Sequence, residues 1–152
     1  MRRGERGSAL LLFPAALLIM VALAAMTVDS SVAFLAQREL ANATAAAAND
    51  AATEAVSDRS FYQGDVIVLS QAAVEDVAVA RVRQLVDPNR HHNLVVQANA
   101  LAPDAPGCAW TVQVIASSRV DEVFAKALPG ASGSVAVRAQ STARPQQAPG
   151  GC

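Results

Sequence analysis

The residues of this chain that could carry chemistry are few, and their spacing limits what each can do. His91 and His92 are adjacent, so in a regular element they point in different directions. No Cys-x-x-Cys or His-x-x-x-His pair accompanies them to complete a metal site. They fall in Pro88-Asn89-Arg90-His91-His92-Asn93, which reads as a solvated turn. Asp121 and Glu122 are sequence neighbours, and nothing near them makes a catalytic acid–base set. The sequence contains no Gly-x-Ser-x-Gly elbow, Gly-rich phosphate loop or Gly-x-Gly-x-x-Gly run. The expectation is a chain with no catalytic residues, no cofactor, no metal and no small-molecule substrate. A formal net charge of −1 and a pI near 6.1 lack the basic footprint of a nucleic-acid binder. The one local basic excess is Arg2, Arg3 and Arg6.

The elements that position these residues begin with an uncharged segment. Residues 7–28, GSALLLFPAALLIMVALAAMTV, lie between Arg6 and Asp29 and account for the positive mean hydropathy of +0.28. About 20 apolar helical residues at ~1.5 Å each cross a bilayer core of ~30 Å. Arg2, Arg3 and Arg6 keep the N-terminus in the cytoplasm and send the chain after Asp29 outward. Pro14 is expected to loosen the helix near its cytoplasmic end. A cleaved signal peptide is the other reading, with Ala22-Leu23-Ala24 as its small-x-small site, but the run exceeds the usual h-region. Asp29 reads as a boundary charge, or as a contact with a partner helix.

Residues 30–56 contain neither Gly nor Pro and are rich in Ala, the best helix former. At 100° per residue, Leu40, Ala43, Ala47, Ala51 and Ala55 share one face, opposite Arg38, Asn42, Asn49 and Thr53. That narrow stripe of small side chains suits close packing against other helices in or just outside the membrane. Asp58-Arg59-Ser60 and Gly64 end the helix.

Beyond it, Ser70 is a good N-cap, with Leu69 and Val74 at staple positions. Val74, Val77, Ala78, Val82 and Leu85 then recur at helical spacing until Asp87-Pro88 stops the run. Three period-2 segments follow: Leu94, Val96, Ala98, Ala100; Val112, Val114, Ala116; and Val135, Val137, Ala139. Residues 119–128 read as a short helix or ordered loop. The predicted fold is α+β: a long N-terminal transmembrane and stem helix, then one amphipathic helix on a three- to four-stranded antiparallel sheet. Its organisation is a basic cytoplasmic N-terminus (1–7), a transmembrane helix (8–28), a stem (29–57), an extracytoplasmic domain (60–143) and a tail (144–152). The outer sheet face, with its Asn, Gln, Thr and Arg, is wet or meets a partner.

Cys108 and Cys152 are the two cysteines. With strands 110–117 and 134–142 antiparallel neighbours, the tail leaves the sheet near Cys108, and an oxidising compartment favours a disulfide to Cys152. Closing about 45 residues would contribute ~4 kcal/mol in the chain-entropy model. Two unrelated thiols, lipidation of Cys152 or an intermolecular bridge are the alternatives. Trp110 reads as packing against that disulfide.

Taken in order, Arg6-Gly7-Ser8, the apolar run with Pro14, Ala25-Met26-Thr27-Val28-Asp29, Arg38-Glu39-Leu40 and Asn49-Asp50-Ala51-Ala52 resemble the TadE/TadG-like Flp pilus-assembly proteins. The resemblance covers residues 6–56, and Tyr62-x-Gly64, a helix and alternating strands extend it. It implies a pilin-like component of a Flp (Tad-type) pilus or related secretion apparatus, anchored by one pass in the inner membrane with its outer domain facing the cell envelope. Its partners would be other proteins of that apparatus, met through the N-terminal helix and the polar sheet face. The alternative function is an exported envelope binding module released by signal peptidase. Pilin-like precursors are cut after a glycine, which places the candidate processing site between Gly7 and Ser8. The fifth residue after that cut is Leu12, where such precursors carry glutamate, so a permanently anchored assembly factor is implied.

Overall fold

An alanine-rich sequence free of glycine after Gly7 lets one helix run unbroken from the apolar segment into the α+β domain. The computed structural model describes residues 6–56, 68–103, 110–127, 130 and 132–145. Helix α1 spans Arg6–Glu54, passes through Pro14, and with 49 residues is roughly 74 Å long. Its large apolar side chains between residues 12 and 28 stand exposed, as on a helix made for a non-aqueous medium. By length and composition it is the one described helix able to cross a membrane, a test that a signal sequence also passes.

From Ala36 onward the same helix changes role. Leu40, Ala43, Ala47, Ala51 and Ala55 are at most 2 % exposed, with Ala36, Ala48 and Ala52 buried beside them. They face the chain's own second helix and sheet, so the stripe expected to meet other helices is intramolecular. The segment expected to stand as a stem is a wall of the domain. The reason is coverage. A single 15-residue helix lies over β1 and leaves the apolar side of β2 and β3 open. Small alanines let α1 approach closely enough to close that gap.

Helix α2, Gln71–Leu85, buries Val74, Ala78 and Val82, while Leu85 is exposed. Ser70 has the extended backbone of an N-cap, but its hydroxyl makes no capping bond; its carbonyl accepts the Val74 N–H at 2.9 Å. Just before it, Leu69 forms an isolated antiparallel bridge with Val56, which ties the two helices' ends together.

Strands β1 (His91–Leu101), β2 (Thr111–Asp121) and β3 (Ser134–Ala143) form an antiparallel sheet in that order. The register sets Ala98 opposite Val114, Ala116 opposite Ala139 and Val112 opposite Ala143. Val112, Val114, Ala116, Ser118 and Val120 of β2 point under the helices with Ala98, Val137, Ala139 and Ala143, forming the core with α1 and α2. The chain is thus a long helix, a second helix and a three-stranded antiparallel sheet, an α+β fold. Residues 119–121 differ from the expected short helix or ordered loop, which the described part of the segment after them follows. Strand β2 continues to Asp121, because Ser118 and Val120 keep the inward phase, and a single 3-10 turn forms at Ala125–Ala127. Cys108 and Cys152 lie outside the described residues, as does the expected helix stop at residues 58–64.

Candidate functional site

What distinguishes the described surface is a series of polar clamps that bind α1 to the rest of the domain, starting where the apolar run ends. Asp29 is the first charged residue after Arg6. Its Oδ1 accepts the N–H groups of Val123 (2.7 Å) and Phe124 (3.0 Å), and its Oδ2 accepts that of Ala125 (2.9 Å). These amides open the 3-10 turn, where unsatisfied N–H groups converge and favour an anion. The Phe124 amide above all, with those of Val123 and Ala125, outweighs desolvation and holds the Asp29 carboxyl below the ordinary range. The expected boundary charge therefore does have a contact, but with a loop of its own chain.

The loop is closed at its base. The Glu122 N–H donates to the Gly133 carbonyl at 3.0 Å, and Lys126 Nζ lies 2.7 Å from Asp121 Oδ2. The Lys126 ammonium is the main cause that holds the Asp121 carboxyl below its usual range. Gly133 sits at φ 65°, and a Cβ there would come within 3.1 Å of Lys126 Cγ, so the turn favours glycine on both counts.

Further along α1, Glu39 reaches the turn before β1. Its Oε2 pairs with Arg90 Nη1 at 2.6 Å and its Oε1 accepts the Asp87 N–H at 2.9 Å. Beneath them sits His91, only 4 % exposed, which corrects the reading of residues 88–93 as a wholly solvated turn. The turn closes early, with the N–H groups of Arg90 and His91 both directed to the Asp87 carbonyl, so β1 starts at His91. His91 Nδ1 lies 2.7 Å from Ser118 Oγ, and its Nε2 is 3.8 Å from Glu39 Oε2, beyond hydrogen-bond reach. Burial lowers the imidazole pKa, against the raising influence of the Glu39 carboxylate. His92 points outward, 3.8 Å from Asp121 Oδ2.

A serine, a histidine and a carboxylate in line invite comparison with a nucleophile–base–acid set. Here the serine is on the inward face of β2, buried beneath α1, so no substrate carbonyl can approach Oγ. Ser118 Oγ and His91 Nδ1 satisfy one another inside the small core, while His91 Nε2 is buried without a hydrogen-bond partner. Among the described residues, no three His, Cys, Asp or Glu side chains converge to hold a metal ion.

The remaining expected residues fall in separate places. Gly7 and Ser8 are in the first turns of α1. Trp110 is half-buried against the core at the start of β2. The outer sheet face carries Gln97, Asn99, Gln113, Arg119, Arg138 and Gln140, with exposed Val95, and no described element covers it. Sequence reasoning passed over Gln37, Gln71 and Ser118, and named Glu39 only within the family resemblance, without a contact. Glu39 gave the best available signal, an acidic residue immediately before Leu40 of the buried stripe. No protein-family model, curated protein or solved structure matches this chain.

Proposed function

We propose that the chain is a membrane-anchored, non-catalytic structural or assembly component of a Flp (Tad-type) pilus or related secretion apparatus. It sits in the inner membrane with its N-terminus inside and its α+β domain outside. One observation carries this reading: a single helix is exposed and apolar over its first half and forms the domain core over its second. Such a helix gives the outer domain a rigid mount instead of a flexible tether, which suits a part that must hold position in an assembly. The clamps at Asp29, Glu39 and Gln37 add to that rigidity. The resemblance of residues 6–56 to the TadE/TadG-like proteins supplies the apparatus, and the uncovered polar sheet face offers a surface for its other proteins. In the extracytoplasmic compartment Cys108 and Cys152 would be joined.

The test is genetic and biochemical. The full-length protein should stay in the membrane pellet after alkaline carbonate washing, and a clean deletion should lose surface pili or secretion. Wild-type piliation and secretion in the deletion strain would overturn the assembly role. N-terminal sequencing separates this from the released binding module: a mature start near Ala25 would support release, and a start near Met1 or at Ser8 the anchor.

A further inference from the structure

We infer that the loop after β2 docks on the outer surface of the lipid bilayer, with Val123 and Phe124 seated in the interface beside the exit of α1. The inference rests on reading residues 8–28 as a membrane span. About 21 helical residues at ~1.5 Å give ~32 Å, which matches the hydrocarbon core and sets Asp29 at its outer boundary. The Asp29 carboxylate is bonded directly to the amides of Val123, Phe124 and Ala125, so the loop tip shares the depth of Asp29. At that tip Val123 is 56 % and Phe124 46 % exposed, adjacent in the chain; Val68, Leu85, Val95 and Leu101 are exposed elsewhere on the domain, and none of them neighbours another in sequence.

The polar chemistry of the loop fits the same location. Backbone N–H groups facing lipid cannot turn to water, and each must find an acceptor within the protein. Three consecutive amides do so on one carboxylate. Next to them Asp121 is paired with Lys126 at 2.7 Å, which reduces the charge brought toward the headgroups. Phe34 and Leu35, also exposed, lie on α1 just outside Asp29 and continue the apolar surface around the helix exit. The occupant is lipid because the tip is bonded to Asp29, the residue at which the apolar span ends. With α1 crossing the membrane and the loop resting on it, the domain has two points of support and a fixed tilt.

Depth-dependent fluorescence quenching tests this on the full chain in phosphatidylcholine–phosphatidylglycerol liposomes. Trp110 is the only tryptophan, so a Trp110→Phe background accepts single probes. Phe124→Trp should be quenched ~2-fold by lipids labelled near the headgroup, as for an aromatic side chain at the interface. Leu18→Trp, mid-span, should respond to labels deep in the acyl chain. Leu101→Trp, at the strand ends opposite the loop, should respond to neither. A quenched Leu18→Trp with an unquenched Phe124→Trp overturns the docking and leaves the anchor standing. An unquenched Leu18→Trp overturns the span and the docking with it. Val123→Trp gives the same readout if a ring at 124 disturbs the fold. Adding Asp29→Ala to Phe124→Trp should abolish the shallow quenching; unchanged quenching would overturn the role of Asp29 as the positioning residue.

Discussion

The side-chain amide of Gln37 hydrogen-bonds both backbone groups of Arg138: Nε2 donates to the carbonyl at 2.5 Å and Oε1 accepts the N–H at 3.2 Å. Gln71 treats the other side of the sheet in the same way, donating to Ala98 O at 2.9 Å and accepting from Ala100 N–H at 2.7 Å. Strands β1 and β3 are the edges of the sheet, and an edge with free backbone groups is a template for another strand. Each helix therefore occupies two backbone groups of one edge with one glutamine.

Replacing either glutamine by alanine should cost about 0.5–1.5 kcal/mol, since its hydrogen bonds go but the freed edge groups are largely exposed and can bond to water. The double variant Gln37→Ala/Gln71→Ala should also self-associate as its concentration rises. Thermal melts and size-exclusion profiles of the full chain in detergent would measure both effects. A double variant that melts and elutes like the wild type would mean that the edges are protected in another way.

The alanine stripe gives a second prediction, because its partner is now known to be the chain's own sheet and α2. Ala47→Leu should overpack a closed contact and lower stability by about 1–3 kcal/mol. Leu40→Ala, the loss of one of the largest fully buried side chains of the core, should cost about 2–5 kcal/mol. Ala45→Leu, on the exposed side of α1, should stay within about 0.5 kcal/mol of the wild type. Melting temperatures of the three variants decide it. Equal effects at 45 and 47 would mean that the stripe does not face the core.

How far the fold could be read in advance depends on which residues kept their period. The two helices and the three strands were legible because Val74-Ala78-Val82 repeats at helical spacing and Val112-Val114-Ala116 at strand spacing. His91 was not, because Asn93 takes φ 53° and the register shifts between His92 and Val95. The inward phase set by Leu94, Val96 and Ala98 is therefore reversed at His91, and the histidine enters the core where extrapolation sent it out. Ser118 was missed for a related reason: a polar residue at an inward position looks like the end of a strand unless its partner is known. The alanine stripe was seen, but periodicity reports which side of a helix is apolar and never what covers it.

Glu39 joins α1 to the turn before β1 through two contacts, one to the Arg90 guanidinium and one to the Asp87 N–H. Glu39→Gln keeps a side chain of the same shape but loses the charge, and should lower stability by about 1–2 kcal/mol, the low end for hydrogen bonds to charged groups because both contacts are solvent-exposed. Arg90→Ala should cost less, because its guanidinium is half-exposed and surface ion pairs contribute little. Melts of both variants test the ranking. A larger loss for Arg90→Ala would place the clamp's strength in the ion pair instead of the backbone contact.

His91 makes stability depend on pH in a window of its own. Its ordinary pKa is 6.5, and burial among α1, β1 and β2 lowers it, with the Arg90 charge helping and the Glu39 and Asp87 carboxylates opposing. Below pH 6.5 the unfolded chain therefore binds a proton more readily than the folded one, and acid favours unfolding. The stability gained from a neutral, buried imidazole is complete above pH 6.5 and drains away as the pH falls toward the lowered folded-state pKa. Asp29 and Asp121 are also lowered, but from 3.8, so their contributions are lost only in stronger acid and do not overlap the histidine window. His91→Gln keeps a partner for Ser118 and removes the titration. Its melting temperature should be flat between about pH 7 and 5, where that of the wild type falls, and the two curves should run parallel only in stronger acid. A wild-type slope that survives in His91→Gln would assign the acid sensitivity to another group.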